Sequence, residues 1–262
     1  DRRGFDLIAQ AMSGIMSVTG EGPGRAPVKT GPPITDITAG VLAAMGVLAA
    51  YIHRLKTGSG QFVDTSLLEA GVVQTYWQSA IAFATGIAPQ AMGSAHPLNA
   101  PYQAFATADS WIVVGGATQP NWLRLVEALE APALAGDPRF RENKDRMGNL
   151  AALQETLTPH FKRRTTADWL ERLERAGIPA GPVNTLDQMH ADPQVVARAM
   201  VVEVDHATAG HGDHDRVCDG VVYQHRDGGQ QAELGRAAAP HRRIVYMCIF
   251  VWIHMCVREL CV

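Results

Sequence analysis

Cysteine is scarce in this chain of 262 residues, and its use is lopsided. No cysteine precedes Cys218, and the other three are Cys248, Cys256 and Cys261. A disulfide framework is therefore excluded for most of the chain, which must rely on an apolar core. Because 47% of the residues are apolar, the chain has enough of them to build such a core.

A surplus of either charge is also missing, since 23 Lys and Arg stand against 26 Asp and Glu. Without a broad basic surface, nucleic acid and acidic membranes are not expected partners, whereas small molecules and other subunits are. The sequence does not open on a charged segment followed by an apolar one. We therefore expect no secretion signal and a cytoplasmic protein.

One long apolar run stands out and predicts a helix over residues 38–55. A run of about 18 residues nearly reaches the length that crosses a bilayer. His53, Arg54 and Lys56 close the run, and no second run of this kind follows. The sequence therefore predicts a helix buried in a protein core, and no membrane span.

The remaining periodicities predict a mixture of helices and strands. Residues 61–66 alternate like a strand and are followed by an apolar helix over residues 67–86, a succession typical of α/β domains. Asp109 and Ser110 separate two short apolar segments and predict a hairpin turn. The predicted hairpin strands are 102–106 and 111–115, and the other predicted helices are 5–18, 121–129, 146–160, 166–176 and 186–200.

The end of the chain differs in kind from the rest. From about residue 209 no steady amphipathic period appears, and we interpret this part as an atypical tail, either frameshifted or disordered. Histidines are crowded near it, among them His206, His211 and His214. Their spacing is irregular and no predicted element brings them together, so no metal site is expected.

Asp36 is the main candidate for chemistry, in the segment PPITDITAG at the start of the long apolar run. An Asp at this position accepts hydrogen bonds from first-turn amides and favours the positive end of the helix dipole, which stabilises the helix by about 1 kcal/mol. The pattern alone favours this capping role. The second interpretation is that the carboxylate, beside small residues that leave room for a substrate, acts as a nucleophile or general base.

His96 is a second candidate, in the loop over residues 89–101. A His in a loop rich in Gly and Pro usually faces solvent or bonds to the backbone. The alternative is that this loop belongs to a lid over a reacting centre.

Four blocks of the sequence resemble the class III CoA-transferases, the CaiB/BaiF family. In chain order they are GFDLIAQAMSGIMSVTG from Gly4, PITDITAGVLAAMGVLAAYIHRLKTGSGQFVDTSLLEA from Pro33, GSAHPLNAPYQAFATADSWIVVG from Gly93 and GIPAGPVNTLDQMHADPQVVARAMVVEVDH from Gly177. The resemblance implies an α/β fold with a Rossmann-like large domain, here partial, a small α+β domain, and an interlocked homodimer.

The same resemblance implies how the chain is divided. Residues 1–67 would belong to the large domain, 68–92 to a linker helix, 93–192 to the small domain, 193–208 to a return linker and 209–262 to the atypical tail. Family members begin well before the point that matches residue 1. We therefore expect the chain to be truncated at its N-terminus.

The resemblance also implies an activity and gives Asp36 the role of catalytic nucleophile. The enzyme would move CoA from an acyl-CoA thioester to an acceptor carboxylate through a covalent aspartyl intermediate, with nearby amides stabilising the oxyanion. Coenzyme A thioester is then a substrate, and no tightly bound cofactor is expected. The loop residues Gly93, His96 and Pro97 match the family's lid and are predicted to bind substrate.

Two alternatives remain beside the transferase. Relatives that racemise 2-methylacyl-CoA share these blocks but place a His where this chain has Phe5. Racemisation requires an acid/base group on each face of the α-carbon, and Phe5 cannot titrate, so the transferase is favoured over a racemase-like isomerase. The third interpretation is an inactive fragment that acts only in self-association.

Overall fold

The computed structural model of the chain describes residues 4–205 and 243–247, with the backbone alone for 202–205 and 243–247. The described residues divide into two compact units. Unit 1 comprises those within Asp1–Met16, Lys29–Ala88 and Leu186–Val262, and unit 2 those within Ser17–Val28 and Pro89–Thr185. The chain therefore passes from unit 1 to unit 2 twice and returns each time.

Unit 1 is mainly helical. Helices α1 (Asp6–Met12) and α4 (Leu67–Gln74) pack against each other and against the long helix α3 (Ile34–Thr57). The short helix α2 (Ile15–Val18) spans the first passage to unit 2. The remaining elements of unit 1 are α5 (Tyr76–Thr85), α10 (Leu186–Ala191), α11 (Pro193–Ala197) and the antiparallel strands β4 (Val201–Asp205) and β5 (Arg243–Met247).

Local chemistry fixes the ends of these helices. Gly58 ends α3 in the left-handed conformation, with φ 78°, and its amide donates to the carbonyl of Arg54 at 2.8 Å. A capping box begins α4, in which Ser66 Oγ accepts from the amide of Glu69 and the Glu69 carboxylate accepts from the amide of Ser66.

Unit 2 combines a small sheet with helices. Strands β1 (Tyr102–Ala106), β2 (Trp111–Gly115) and β3 (Ala180–Pro182) form an antiparallel sheet in the order β1-β2-β3. Its helices are α6 (Gln119–Ala128), α7 (Asn143–Gly148), α8 (Leu150–Phe161), α9 (Thr166–Arg175) and the 3-10 helix Pro132–Gly136.

The core of unit 2 lies between one face of this sheet and the helices. Burial alternates along β1 and β2, so that Phe105, Ile112 and Val114 point into the core. The helical residues that complete the core are Trp122, Leu125, Val126, Leu153, Leu157, Phe161, Trp169 and Leu173. The predicted hairpin strands 102–106 and 111–115 are confirmed residue by residue.

The helices predicted at 121–129 and 166–176 are also confirmed, whereas several other predicted elements need correction. The strand predicted at residues 61–66 is wrong: these residues have no regular structure and pair with no strand in the described part of the chain, and an unpaired strand is not stable. Four predicted helices are each broken in two, at Gly14, Thr75, Asn149 and Asp192. Gly14 adopts φ 87°, and the three polar side chains hydrogen-bond to nearby backbone, which competes with helix continuation.

The prediction that the long helix is buried is also wrong for the chain by itself. Within α3 the buried residues are Thr35, Ala39 and Ala43, whereas Met45 and Leu48 are 62% and 61% exposed. Among the described residues, α3 is the one helix that is long and apolar enough to cross a membrane. Its most apolar 18-residue stretch has a mean hydropathy of 1.6, and 11% of that stretch is buried. The core helix of a soluble protein can have the same length and composition.

Candidate active site

Asp36 lies in the first turn of α3, three residues after the N-cap position. The N-cap residue is Pro33, whose side chain forms no capping hydrogen bond. The prediction that Asp36 itself caps the helix is therefore wrong. Its side chain is exposed, and no hydrogen bond to its carboxylate is found in the described part of the chain.

Asp6 performs the capping instead, from the start of α1. Its Oδ1 accepts a hydrogen bond from the Thr35 amide at 3.0 Å and another from Thr35 Oγ1 at 2.7 Å. The backbone of Asp36 also hydrogen-bonds to the Asp6 carboxylate. A carboxylate from a different helix thus satisfies the amides that the first turn of α3 leaves without partners.

Gln10 holds this capping carboxylate in place. Its Nε2 donates to Asp6 Oδ2 at 2.7 Å, while its Oε1 accepts from the Thr30 amide at 2.9 Å and from Thr30 Oγ1 at 3.2 Å. Gln10 and Thr35 are both fully buried. Since buried polar groups with satisfied hydrogen bonds rigidify their surroundings, the network fixes the loop before α3 and the start of the helix.

The remaining amides of the first turn are occupied as well. The Ile34 amide donates to the Pro32 carbonyl at 2.9 Å, and the Ile37 amide donates to the Pro33 carbonyl at 3.1 Å. Each amide of the first turn of α3 therefore has an acceptor within the chain. The expectation that nearby amides stabilise an oxyanion remains a prediction.

The two carboxylates at the start of α3 titrate in opposite directions. Partial desolvation, and then the negative charge of Asp6, raise the pKa of Asp36 above its ordinary value. Desolvation acts on Asp6 too, but hydrogen bonds from Thr35, Gln10 and the Asp36 backbone outweigh it and lower the pKa of Asp6. Neighbouring carboxylates whose pKa values diverge are typical of catalytic sites.

Helix α4 packs closely against the start of α3 at Gly71. A Cβ atom on Gly71 would come within 2.5 Å of Ser13 Oγ and 3.3 Å of Thr35 Cγ2. Gly71 thus lets α4 approach the start of α3 as closely as it does.

The predicted lid residues share one loop in unit 2. Gly93 adopts φ 63° and its amide donates to the Gly20 carbonyl at 2.8 Å. The ring of His96 stacks on Tyr102 at 5.1 Å between centroids, and its Nδ1 accepts from the Leu98 amide at 3.1 Å. Desolvation lowers the pKa of His96. Pro97 follows in the same loop and is half-buried.

A comparison with protein families adds to this geometry. The sequence profile described as CoA-transferase family III matches residues 1–232. The chain belongs to CoA-transferase family III. The match runs past residue 208, beyond which the sequence predicted an atypical tail.

Named relatives and solved structures agree with this family. Human succinyl-CoA:glutarate CoA-transferase is 34% identical over 209 residues, and the alignment covers 80% of this chain and 48% of the relative. Succinyl-CoA:mesaconate CoA-transferase of Haloarcula hispanica is 35% identical over 204 residues, covering 77% of this chain and 50% of that protein. The chain spans about half the length of the curated relatives it matches.

A solved structure gives the fold-level likeness. The crystal structure of a CaiB/BaiF family protein from Brucella suis has a TM-score of 0.68 and 37% identity, over 77% of this chain and 53% of that one. The mixed helix and sheet architecture of this chain is therefore that of the family. The finer features implied by the resemblance, a Rossmann-like large domain and interlocked chains, remain predictions.

Within this family III chain the predicted site residues fall in two units. Asp36 lies in unit 1, whereas Gly93, His96 and Pro97 lie in unit 2, and their role as a lid remains a prediction. Phe5, where the racemising relatives place a His, occupies the N-cap position of α1 and is 82% exposed. Phe5 therefore directly precedes Asp6 in the chain.

Sequence reasoning missed Asp6 and Gln10. Their spacing of four residues places both on one face of α1, which is a signal that they interact. No local pattern connects either residue to Thr35, which lies 29 residues beyond Asp6 in the sequence. The connection appears when α1 packs against α3.

Metal binding has no support in the described part of the chain. Among residues 4–201, whose side chains the structure describes, no group of three or more His, Cys, Asp or Glu could hold an ion. His206, His211 and His214 lie outside the described residues.

Proposed function

We propose that the protein is a CoA-transferase that moves CoA from an acyl-CoA thioester to an acceptor carboxylate, with Asp36 as the covalent nucleophile. The observation that supports this most is the state of Asp36 itself. In a chain of CoA-transferase family III, it presents an exposed carboxylate to which no described residue donates a hydrogen bond, and its pKa is raised. Lone pairs that are not engaged within the protein are available for attack.

The proposed reaction has two halves. In the first, an Asp36 oxygen attacks the thioester carbonyl, the C–S bond breaks and CoA leaves as a thiolate, which forms a mixed anhydride. The thiolate then attacks the Asp36 carbonyl of this anhydride, which releases the donor acid and leaves an aspartyl-CoA thioester. In the second half the acceptor carboxylate reverses these steps, receives CoA and restores the Asp36 carboxylate. No oxidant, reductant or net proton is needed.

The raised pKa of Asp36 favours this role. A more basic carboxylate is a better nucleophile, provided that it is ionised at the working pH. Dividing the exchange into two acyl transfers also lowers each barrier, because the nucleophile is held next to the bound thioester. Neither step uses a tightly bound cofactor or a metal, and CoA enters only as part of the substrate.

The donor and acceptor are proposed from the relatives. The human and Haloarcula proteins are named for succinyl-CoA as donor and for glutarate or mesaconate as acceptor. Succinyl-CoA and a dicarboxylic acid are therefore the substrates to test first.

We also propose a Rossmann-like large domain, an interlocked homodimer and a cytoplasmic location for the protein. Large apolar side chains of unit 1 lie exposed in the described chain, among them Met45, Leu48, Leu55 and Phe83. An apolar surface of this kind calls for a protein partner. Light scattering coupled to gel filtration should give twice the mass of the chain.

The function is tested by trapping the intermediate. The protein is incubated with succinyl-CoA and then with hydroxylamine, and mass spectrometry locates the resulting hydroxamate. We expect the label on Asp36, and none in the Asp36→Ala variant. An unlabelled Asp36 in protein that binds CoA by calorimetry would contradict the mechanism.

The two alternatives give different results in parallel measurements. An isomerase would incorporate deuterium from solvent at the α-carbon of a 2-methylacyl-CoA without exchange of CoA between acids. An inactive fragment would self-associate in light scattering but bind no CoA in calorimetry. We expect neither result.

A further inference from the structure

Asp36 is kept out of hydrogen bonds that a carboxylate in its position normally makes. The first turn of α4 provides the comparison within the same chain. There Glu69, three residues after the N-cap Ser66, accepts from the Ser66 amide at 3.0 Å and from Ser66 Oγ at 3.0 Å. A carboxylate so engaged is stabilised in its ionised form and its lone pairs are occupied.

Two features of α3 prevent the corresponding capture of Asp36. Its N-cap residue is Pro33, which has no amide hydrogen. Asp36 therefore cannot accept a hydrogen bond from the N-cap amide, as Glu69 does from Ser66. The other candidate donors are the amide and hydroxyl of Thr35, and both already donate to Asp6. Asp6 is in turn fixed by Gln10, which is fully buried.

We propose that Asp6 is a positioning residue for the reaction of Asp36. By occupying the Thr35 donors while Pro33 supplies none, it keeps the Asp36 carboxylate outside the hydrogen bonds of its own helix and available for attack. The inference rests on the proposed function, since it concerns how the nucleophile is prepared.

Electrostatics act in the same direction. The negative charge of Asp6 opposes ionisation of Asp36, in addition to desolvation. On α4 Glu69 bonds to Ser66, and in the loop before α3 Lys29 donates to the carbonyls of Thr30 and Gly31. Desolvation is the larger cause of the raised pKa of Asp36, and the negative charge of Asp6 adds to it.

The test measures the initial rate of hydroxylamine-trapped labelling at position 36 across a pH series. Asp6→Asn removes the charge but keeps an oxygen that accepts from Thr35, and we expect the acidic midpoint of the profile to move to lower pH. Pro33→Ser supplies an amide and a hydroxyl at the N-cap, so that Asp36 can be captured as Glu69 is. We expect it to lower both the midpoint and the plateau rate, the latter on the order of ten-fold.

The Pro33→Ser variant separates positioning from a merely structural role. A new capping box should leave the protein at least as stable in urea while it reacts more slowly, whereas a structural role predicts that rate and stability change together. Pro32→Ser, at the neighbouring proline outside the N-cap, serves as the matched control and should change neither midpoint nor plateau.

The outcomes distinguish this inference from the proposed function. If both folded variants kept the midpoint and plateau of the unaltered protein, the positioning role of Asp6 would be refuted. If Asp36→Ala exchanged CoA at the unaltered rate, the proposed function itself would fail, whatever the other variants showed.

Discussion

The guanidinium of Arg146 lies 5.0 Å from the centre of the Trp122 ring, and both side chains are fully buried in unit 2. The guanidinium donates to the carbonyls of Ala100, Phe140 and Ala117 at 2.6, 3.1 and 3.0 Å, and to Gln119 Oε1 at 3.1 Å. Desolvation lowers the pKa of Arg146. Carbonyl dipoles and an aromatic face thus compensate a buried cation.

This arrangement predicts that Arg146→Met strongly destabilises unit 2. The substitution preserves much of the volume but leaves several buried carbonyls without donors, and we expect a loss of about 3 kcal/mol in the free energy of unfolding. Urea denaturation followed by tryptophan fluorescence measures it. Arg163→Met is the matched control, because Arg163 is exposed. Equal denaturation midpoints for the two variants would contradict the prediction.

A second prediction concerns Gly71 and the packing of α4. In Gly71→Ala the new methyl group would meet Ser13 and Thr35, so α4 must move away from the start of α3. We expect a loss of about 1–3 kcal/mol in stability. Because Thr35 is bonded to Asp6, labelling of Asp36 should slow as well. Gly60→Ala is the control, since nothing lies within 4 Å of the Cβ it would add; if it had the same effects, the steric explanation would be wrong.

Much of the fold could be predicted because the signals are local. The hairpin of β1 and β2 follows from two short apolar segments around Asp109 and Ser110, and both strands are correct. The predicted end of the long helix at residue 55 lies two residues before the observed end of α3 at Thr57, after which Gly58 adopts the left-handed conformation without strain. In both cases neighbouring residues determine the structure.

The errors arise where distant residues decide. Whether residues 61–66 become a strand depends on a partner strand, and none is found in the described part of the chain. The capping of α3 depends on Asp6, which reaches Thr35 through the packing of α1. The sequence therefore proposes Asp36, through resemblance to a family, but carries no local signal that Asp6 accepts the hydrogen bonds of Thr35.

A third prediction concerns acid stability and Asp109. Its Oδ1 accepts from the Thr166 amide at 2.8 Å, from Thr166 Oγ1 at 3.1 Å and from Thr107 Oγ1 at 3.0 Å. The bond from the Thr166 backbone, followed by those of the two hydroxyls, lowers the pKa of Asp109. Because the pKa of Asp109 in the folded protein is lower than the ordinary 3.8, the ionised carboxylate stabilises the fold at pH values above 3.8. This contribution is lost as the pH falls from 3.8 through the pKa of the folded protein.

We therefore expect Asp109→Asn to be less stable than the unaltered protein at neutral pH, with the difference narrowing as the pH falls below 3.8. Urea denaturation at a series of pH values measures this. Glu155→Gln, at an exposed position on α8, removes one carboxylate as a control and should show no such difference. If the difference in stability between Asp109→Asn and the unaltered protein did not depend on pH, the lowered pKa of Asp109 would be contradicted.

The fourth prediction uses His96, which stacks on Tyr102 and accepts from the Leu98 amide through Nδ1. Desolvation lowers its pKa below the ordinary 6.5, so the unfolded chain binds the proton first as the pH falls. Stability should then decrease from pH 6.5 toward the folded value and stay level below it. His96→Asn keeps an acceptor for Leu98 but cannot titrate, and its stability should lack this slope. His190→Asn serves as the control and should retain the slope of stability against pH. The prediction would be refuted if the unaltered protein, His96→Asn and His190→Asn all had the same slope.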